Sequence, residues 1–152
     1  MTPVSFLTAA YAGATASGHV WPEYAACEAA LETGWGSSKL CRLANNLFGQ
    51  KQGPQTAGLP TVSIPTREVI GGKSVVVDAV WPVFASWADS FRARMELLRA
   101  LAPEYRDYAA ALAAATGEDF VTDVSRRWST DPTRGAQVLQ IHRRHFSGGV
   151  IR

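Results

Sequence analysis

Residues 30–51 read ALETGWGSSKLCRLANNLFGQK. Just before them Ala25, Ala26, Ala29, Ala30 and Leu31 have helical spacing. Pro22 suits the first turn of that helix, and Gly34 and Gly36 mark its end. The spacing therefore predicts a helix over 22–33 with Glu32 in its last turn. Unpaired carbonyls there carry partial negative charge, which opposes a carboxylate. A glutamate so poorly placed for helix stability calls for a chemical reason. Beyond it, Ser37 or Ser38 can cap a short helix carrying Leu40, Leu43 and Ala44, and Asn45-Asn46 and Gly49 break regularity.

Outward from this segment the chain reads as helix, hairpin and helix again. Phe6, Leu7, Ala10, Tyr11 and Ala14 stripe a first helix closed by Gly18. Lys51 to Pro60 is a loop, and Thr61 to Phe84 turns to β character, with Val62, Ile64, Val69 and Ile70 before Gly71-Gly72 and Val75-Val76-Val77 after it. Ser86-Trp87-Ala88-Asp89 resembles a capping box that opens a helix striped by Phe91, Met95, Leu98 and Ala102. Pro103 is expected to start an alanine-rich helix ended by Gly117. Phe120, Val121, Val124 and Trp128 stripe another, and Asp131-Pro132 is expected to cap a last one carrying Val138, Leu139, Ile141 and Phe146. The fold class is α+β: mostly helical, with a β-hairpin lobe at about 61–84 between two helical blocks, and 1–152 reading as one domain.

Composition narrows the function classes. Five Trp and six Phe in 152 residues can fill one core. A net charge of +2, with arginines spread out except near the C-terminus, does not indicate nucleic-acid binding; a weakly basic face equally suits an anionic polymer such as a bacterial wall. The first residues lack the charged region of a secretory signal, and no apolar run approaches membrane-spanning length. Cys27 and Cys41 make no metal site by themselves, since His19, His142 and His145 lie far off in sequence; they are buried small side chains or one disulfide. Nothing in the pattern suggests a cofactor or metal, and the chain is expected to act as a monomer.

The order glutamate, Gly-Trp-Gly, Asn-Asn-Leu-Phe-Gly, hairpin, Trp-Ser-Thr-Asp-Pro resembles glycoside hydrolase family seventy-three. These are bacterial endo-β-N-acetylglucosaminidases, among them the hydrolase domain of the flagellar rod-cap protein. The resemblance runs from Phe6 to about Phe146 and is most specific in ALETGWGSSKL and NNLFGQK. It implies a lysozyme-like fold and hydrolysis of the β-1,4 bond between N-acetylglucosamine and N-acetylmuramic acid in peptidoglycan.

By the same resemblance Glu32 is the general acid. Bottom-up chemistry points the same way: protonating a glycosidic oxygen requires a carboxyl that keeps its proton, which a helix end and an apolar neighbour such as Trp35 favour. Glu68 resembles the β-lobe glutamate of the family, which implies a part in activating water or, if the substrate's acetamido group attacks, in orienting that group. Asp78 is the nearest competing carboxylate, and Glu28, one turn before Glu32, reads as structural or solvated. Trp35, Asn46, Phe48 and Gly49 match elements that line the sugar groove, where aromatic faces stack on sugars and an Asn amide can pair with an acetamido group. Trp128 and Thr130 belong to a further groove element that usually begins with Tyr, so Trp128 departs from the pattern. Arg134-Gly135 departs again, where Tyr-Ala is common.

Two other readings compete. A lytic transglycosylase shares the fold and the helix-end glutamate; Asn-Asn-Leu-Phe-Gly and Glu68 favour hydrolysis over it. A non-catalytic wall-binding or assembly module would keep the groove without turnover, and retention of Glu32 argues against it. Peptidoglycan lies outside the cytoplasmic membrane, so action in the periplasm or cell wall implies a delivery route, whether phage, secretion system or parent polypeptide.

Overall fold

The computed structural model describes residues 1–147 and 151. Seven α-helices and one antiparallel hairpin are present among them, in the order α1 (Pro3–Ala16), α2 (Pro22–Thr33), α3 (Lys39–Ala44), β1 (Thr61–Ile70), β2 (Lys73–Pro82), α4 (Trp87–Leu101), α5 (Arg106–Leu112), α6 (Gly117–Trp128) and α7 (Arg134–His145). The expected α+β class and the hairpin between two helical blocks are found. None of the described helices is long and apolar enough to cross a membrane.

α2 sits at the centre of the helical body because its sequence lets other helices approach closely. Ala25, Ala26, Cys27, Ala29 and Ala30 are all fully buried, and α1, α6 and α7 pack against this small-residue surface. Phe6, Leu7, Phe91, Leu98, Phe120, Val121, Val124 and Val138 fill the space around it. Both cysteines are free buried thiols, one on α2 and one on α3, and burial pushes both pKa values up.

Local signals held at the helix starts. Thr2, Ser38, Ser86 and Thr116 each accept a hydrogen bond from the backbone N–H three residues on. Three boundaries differ from the sequence expectation. Pro103 lies in a turn after α4, and α5 starts only at Arg106. Gly117 begins α6 instead of ending α5, for a steric reason: a Cβ there would stand 2.2 Å from the ring of Tyr24. Asp131-Pro132 stops short of α7, whose N-cap is Thr133; the Asp131 carboxylate instead folds a turn, accepting from the Thr133 N–H at 2.8 Å and hydroxyl at 2.7 Å.

The hairpin turns at Gly71-Gly72, both with positive φ, and pairs Thr61 with Pro82 through to Ile70 with Lys73. Its base is tied to the body. Val83 donates to the Pro60 carbonyl, Phe84 to that of Ala44, and the Asn45 amide to that of Phe84. Ile64 and Trp81, both buried, lie on one face, with the Trp81 indole N–H bonded to the Ile64 carbonyl at 3.2 Å.

Candidate active site

The C-terminus of α2 is built by three successive residues in left-handed backbone, Gly34 (φ 57°), Trp35 (φ 59°) and Gly36 (φ 84°). Glycine adopts this readily, but a tryptophan does so at a cost, which marks a shape that the surroundings impose. The same turn satisfies the helix end. Trp35 N–H bonds to the Ala30 carbonyl at 2.9 Å, Ser38 N–H to that of Thr33 at 3.0 Å, and the Thr33 hydroxyl, bonded to Ala29, accepts from Gly36 N–H. Several of the carbonyls that the sequence reading left unpaired are thus capped.

Glu32 projects from this last turn. Its main chain is open to solvent, so the residue as a whole is exposed, yet its side chain is only 25% exposed. Oε1 accepts a 2.8 Å hydrogen bond from Nε of Arg134, the first residue of α7. Oε2 has no protein partner among the described residues. The uncompensated helix end expected from sequence is therefore corrected: the carboxylate is hydrogen-bonded to a guanidinium. The Trp35 ring makes T-shaped pairs with Phe6 and His145, at centroid distances of 6.3 and 5.5 Å.

Behind Glu32 lies a network that sequence reasoning missed. Glu28, fully buried one turn earlier on α2, takes a bidentate grip from Arg94 of α4, with Nη1 to Oε1 at 2.9 Å and Nη2 to Oε2 at 2.7 Å. Arg134 Nη2 also approaches Glu28 Oε2 to 2.9 Å, but off the N–H direction, so that contact is an ion pair without a directed hydrogen bond. Arg134 Nη1 donates to the Ser125 hydroxyl of α6 at 2.8 Å. Burial pushes the Glu28 carboxyl up, and the two arginines outweigh it and hold its pKa at about 2. Glu28 thus faces both buried arginines. The signal available in the sequence was a pair of glutamates four residues apart on an otherwise small and apolar helix, which demands cations from elsewhere in the fold.

Other expected site residues divide between interior and surface. Phe48 is 4% exposed, and its ring and that of Trp128 each lie 4.6 Å from the Arg94 guanidinium carbon. Trp128, where Tyr is usual, therefore covers the buried arginine. Asn46 is 1% exposed, with its amide donating to the Gln50 carbonyl and accepting from the Gln50 N–H. These are corrections: Asn46 and Phe48 support the site from inside, and their side chains do not line a sugar groove. Gly49 is exposed with φ 62° and half-buried Trp35 keeps part of its surface open. Thr130 lines a groove of about 1100 Å³ with Tyr105, Tyr108, Ser129 and Asp131. Glu32 is not on its wall; Ser125 is, and Arg134 joins the two.

Glu68 stands on the hairpin. It pairs across the ladder with Val75 and shares the face of Ile64 and Trp81, which is the more buried one. Asp78 pairs with Pro65 on the opposite, exposed face, so of the two carboxylates Glu68 is the one directed with the packed side chains. The Glu68 side chain is 42% exposed and meets Lys51 at 3.9 Å. Glu32 and Glu68 make no direct contact among the described residues. Those residues also hold no cluster of His, Cys, Asp and Glu with metal-binding geometry.

Residues 8–146 match the family described as mannosyl-glycoprotein endo-β-N-acetylglucosaminidase. The chain belongs to this glucosaminidase family, glycoside hydrolase family seventy-three. Among its relatives, the peptidoglycan hydrolase FlgJ of Pseudomonas aeruginosa is 34% identical over 79% of this chain and 30% of its own length. A probable N-acetylmuramidase of Lactococcus lactis is 32% identical over 80% of this chain and 28% of its own. The chain thus spans under a third of these two relatives. The glycoside hydrolase domain of Salmonella typhimurium FlgJ, truncated at its C-terminus, superposes with a TM-score of 0.72 at 25% identity, over 96% of this chain and 99% of that one. The catalytic domain of the autolysin Auto of Listeria monocytogenes gives 0.76 at 24% identity, over 94% and 81%, and bears on the fold alone. The lysozyme-like fold expected from sequence is the fold found.

Proposed function

We propose that this glucosaminidase-family chain hydrolyses peptidoglycan, cleaving the β-1,4 bond between N-acetylglucosamine and N-acetylmuramic acid with Glu32 as general acid. The observation that carries this reading is the division of labour at Glu32: Oε1 is held by Arg134, and Oε2 has no protein partner among the described residues. A carboxyl in that state is oriented yet has an oxygen available for a proton and a glycosidic oxygen. Peptidoglycan enters because two relatives are named for it or for its sugars.

Protonation by Glu32 makes the leaving sugar a neutral alcohol as the bond breaks, and an oxocarbenium-like centre develops on the other sugar. That centre is then met by water or by the substrate's acetamido oxygen. Glu68, on the packed face of the hairpin, activates the water or orients the acetamido group. Trp35 and Thr130 offer an aromatic face and a hydroxyl to the glycan, and the site of action is the periplasm or cell wall.

The names of relatives divide between glucosaminidase and muramidase, so the sugar at the new reducing end is the deciding measurement. Purified peptidoglycan is digested, reduced with borohydride, hydrolysed in acid and analysed by mass spectrometry. Reduced glucosamine is the expected product. Reduced muramic acid would reassign the bond, anhydromuramic ends would make the protein a lytic transglycosylase, and no new ends would leave a binding module.

A further inference from the structure

The side chain of Arg134 is 2% exposed, and each of its three nitrogens faces a different group: Nε faces Glu32, Nη1 Ser125 and Nη2 Glu28. The Glu28 carboxylate already has a bidentate partner in Arg94, so its pairing does not depend on Arg134. The additional bond to Glu32 fixes the one carboxylate in the cluster that reaches solvent. Helix α7 begins at Arg134, so its main chain there is set by the helix, while Ser125 and Glu28 fix the far end of the guanidinium. Nε–H then points in one direction, and Glu32 Oε1 lies in it at 2.8 Å.

We propose that Arg134 is a positioning residue that holds Oε1 of Glu32 and thereby presents Oε2 to the scissile glycosidic oxygen. This rests on the reading of Glu32 as general acid. The role needs the planar fork of arginine: three nitrogens in fixed mutual geometry transmit the order of Ser125 and Glu28 to Glu32, which a lysine, as a single point charge, transmits less well. The supporting groups behind Glu32 come from four helices, with Glu28 from its own helix, Arg94 from α4, Ser125 from α6 and Arg134 from α7. Phe48 and Trp128 each lie over the Arg94 guanidinium and cover it.

Because Arg134 acts through Glu32 and does not touch substrate, its loss is expected in kcat and not in KM. Initial rates on soluble glycan strands are measured at limiting and saturating concentration for wild type, Glu32→Gln, Arg134→Gln, Arg134→Lys and the double variant Glu32→Gln/Arg134→Gln, each below its own melting temperature. Arg134→Gln is expected to lose about a hundredfold in kcat at unchanged KM, the scale of a misplaced catalytic group. Arg134→Lys should fall between it and wild type, and Arg134→Gln should cost nothing further in the Glu32→Gln background. Wild-type kcat in Arg134→Gln, a loss confined to KM, or an added loss in the Glu32→Gln background would each overturn the inference. If Arg134→Gln does not melt cooperatively, Arg134→Lys carries the test: lowered kcat at constant KM supports positioning, and wild-type kcat refutes it. Absence of cleavage by the wild-type protein would instead sink the general-acid reading itself, and this inference with it.

Discussion

The two glutamates proposed for the reaction sit in opposite physical settings. Glu32 ends a fully packed helix, is held by a buried arginine, and has behind it a second ion pair covered by two aromatic rings. Glu68 rides on a two-stranded ladder that buries Ile64 on one strand and Trp81 and Pro82 on the other, and it meets at 3.9 Å a lysine whose side chain is largely in water. A lone two-stranded hairpin is marginally stable in water, so this one depends on the hydrogen bonds at its base. The contrast suggests a rigid acid and a compliant lobe: orientation to within about half an ångström matters for a proton donor, whereas a group that assists water or an acetamido oxygen tolerates adjustment as glycan enters.

The sharpest way to break this comparison is activity. Glu32→Gln is expected to lose about a hundred- to ten-thousand-fold in peptidoglycan cleavage, the range of general acid–base assistance, while keeping a cooperative melt because the amide oxygen can still accept from Arg134. Glu68→Gln should retain measurable turnover if the acetamido group supplies the nucleophile. Equal losses at the two positions would make the lobe carboxylate as essential as the acid and remove the distinction. A fully active Glu32→Gln protein would remove the acid.

The sequence made the elements that carry both settings legible, and not the long-range pairs that complete one of them. α2 was readable residue for residue because Pro22, the alanines and Gly34 are local signals, and the hairpin was readable from its valines and Gly71-Gly72. Glu32 could be singled out from its place at the helix end. Its partner could not, since Arg134 lies 102 residues away, and the Glu28–Arg94 pair spans 66. Ion pairs of that separation leave no local pattern. Asn46 and Phe48 misled for a related reason: an amide and an aromatic ring serve equally in a groove or a core, and only the fold decides. Gly117 looked like a helix stop because nothing in its neighbourhood announces Tyr24, which arrives from α2.

Stability should divide along the same line. Glu28→Ala removes the counter-charge of Arg94 and one of those of Arg134, both buried, and breaking a buried pair in this way typically costs about 3–5 kcal/mol. Lys51→Ala removes only the exposed partner of Glu68, where the usual effect is about 0–1 kcal/mol. Chemical denaturation of the two variants under one buffer checks both. Comparable losses would mean that the hairpin is bound into the body's cooperative unit much more tightly than its few buried side chains account for.

The last effect concerns acid, and it too belongs to the body. His19 is buried, its Nδ1 accepts from the Trp21 N–H at 2.9 Å, and its ring meets Phe120 edge-on, so the neutral form is the one that fits. Burial, reinforced by the positive charge of Arg94, lowers its pKa from 6.5 to about 4. The unfolded chain therefore binds the extra proton first. Stability is fully present above pH 6.5 and falls as pH drops toward 4, by about 3 kcal/mol over that window. Glu28 acts in a separate window, because its folded pKa of about 2 lies below the ordinary 4.5, so its contribution is lost as pH falls from 4.5 through 2. Thermal melts between pH 7 and pH 5 thus lie clear of the Glu28 window, and a variant at His19 assigns the effect to that residue. His19→Asn keeps an acceptor for the Trp21 N–H but cannot be protonated, and its melting temperature should vary with pH over that range distinctly less than the wild-type value does. An undiminished slope in His19→Asn would place the acid sensitivity elsewhere and would free the body of the role given to it here.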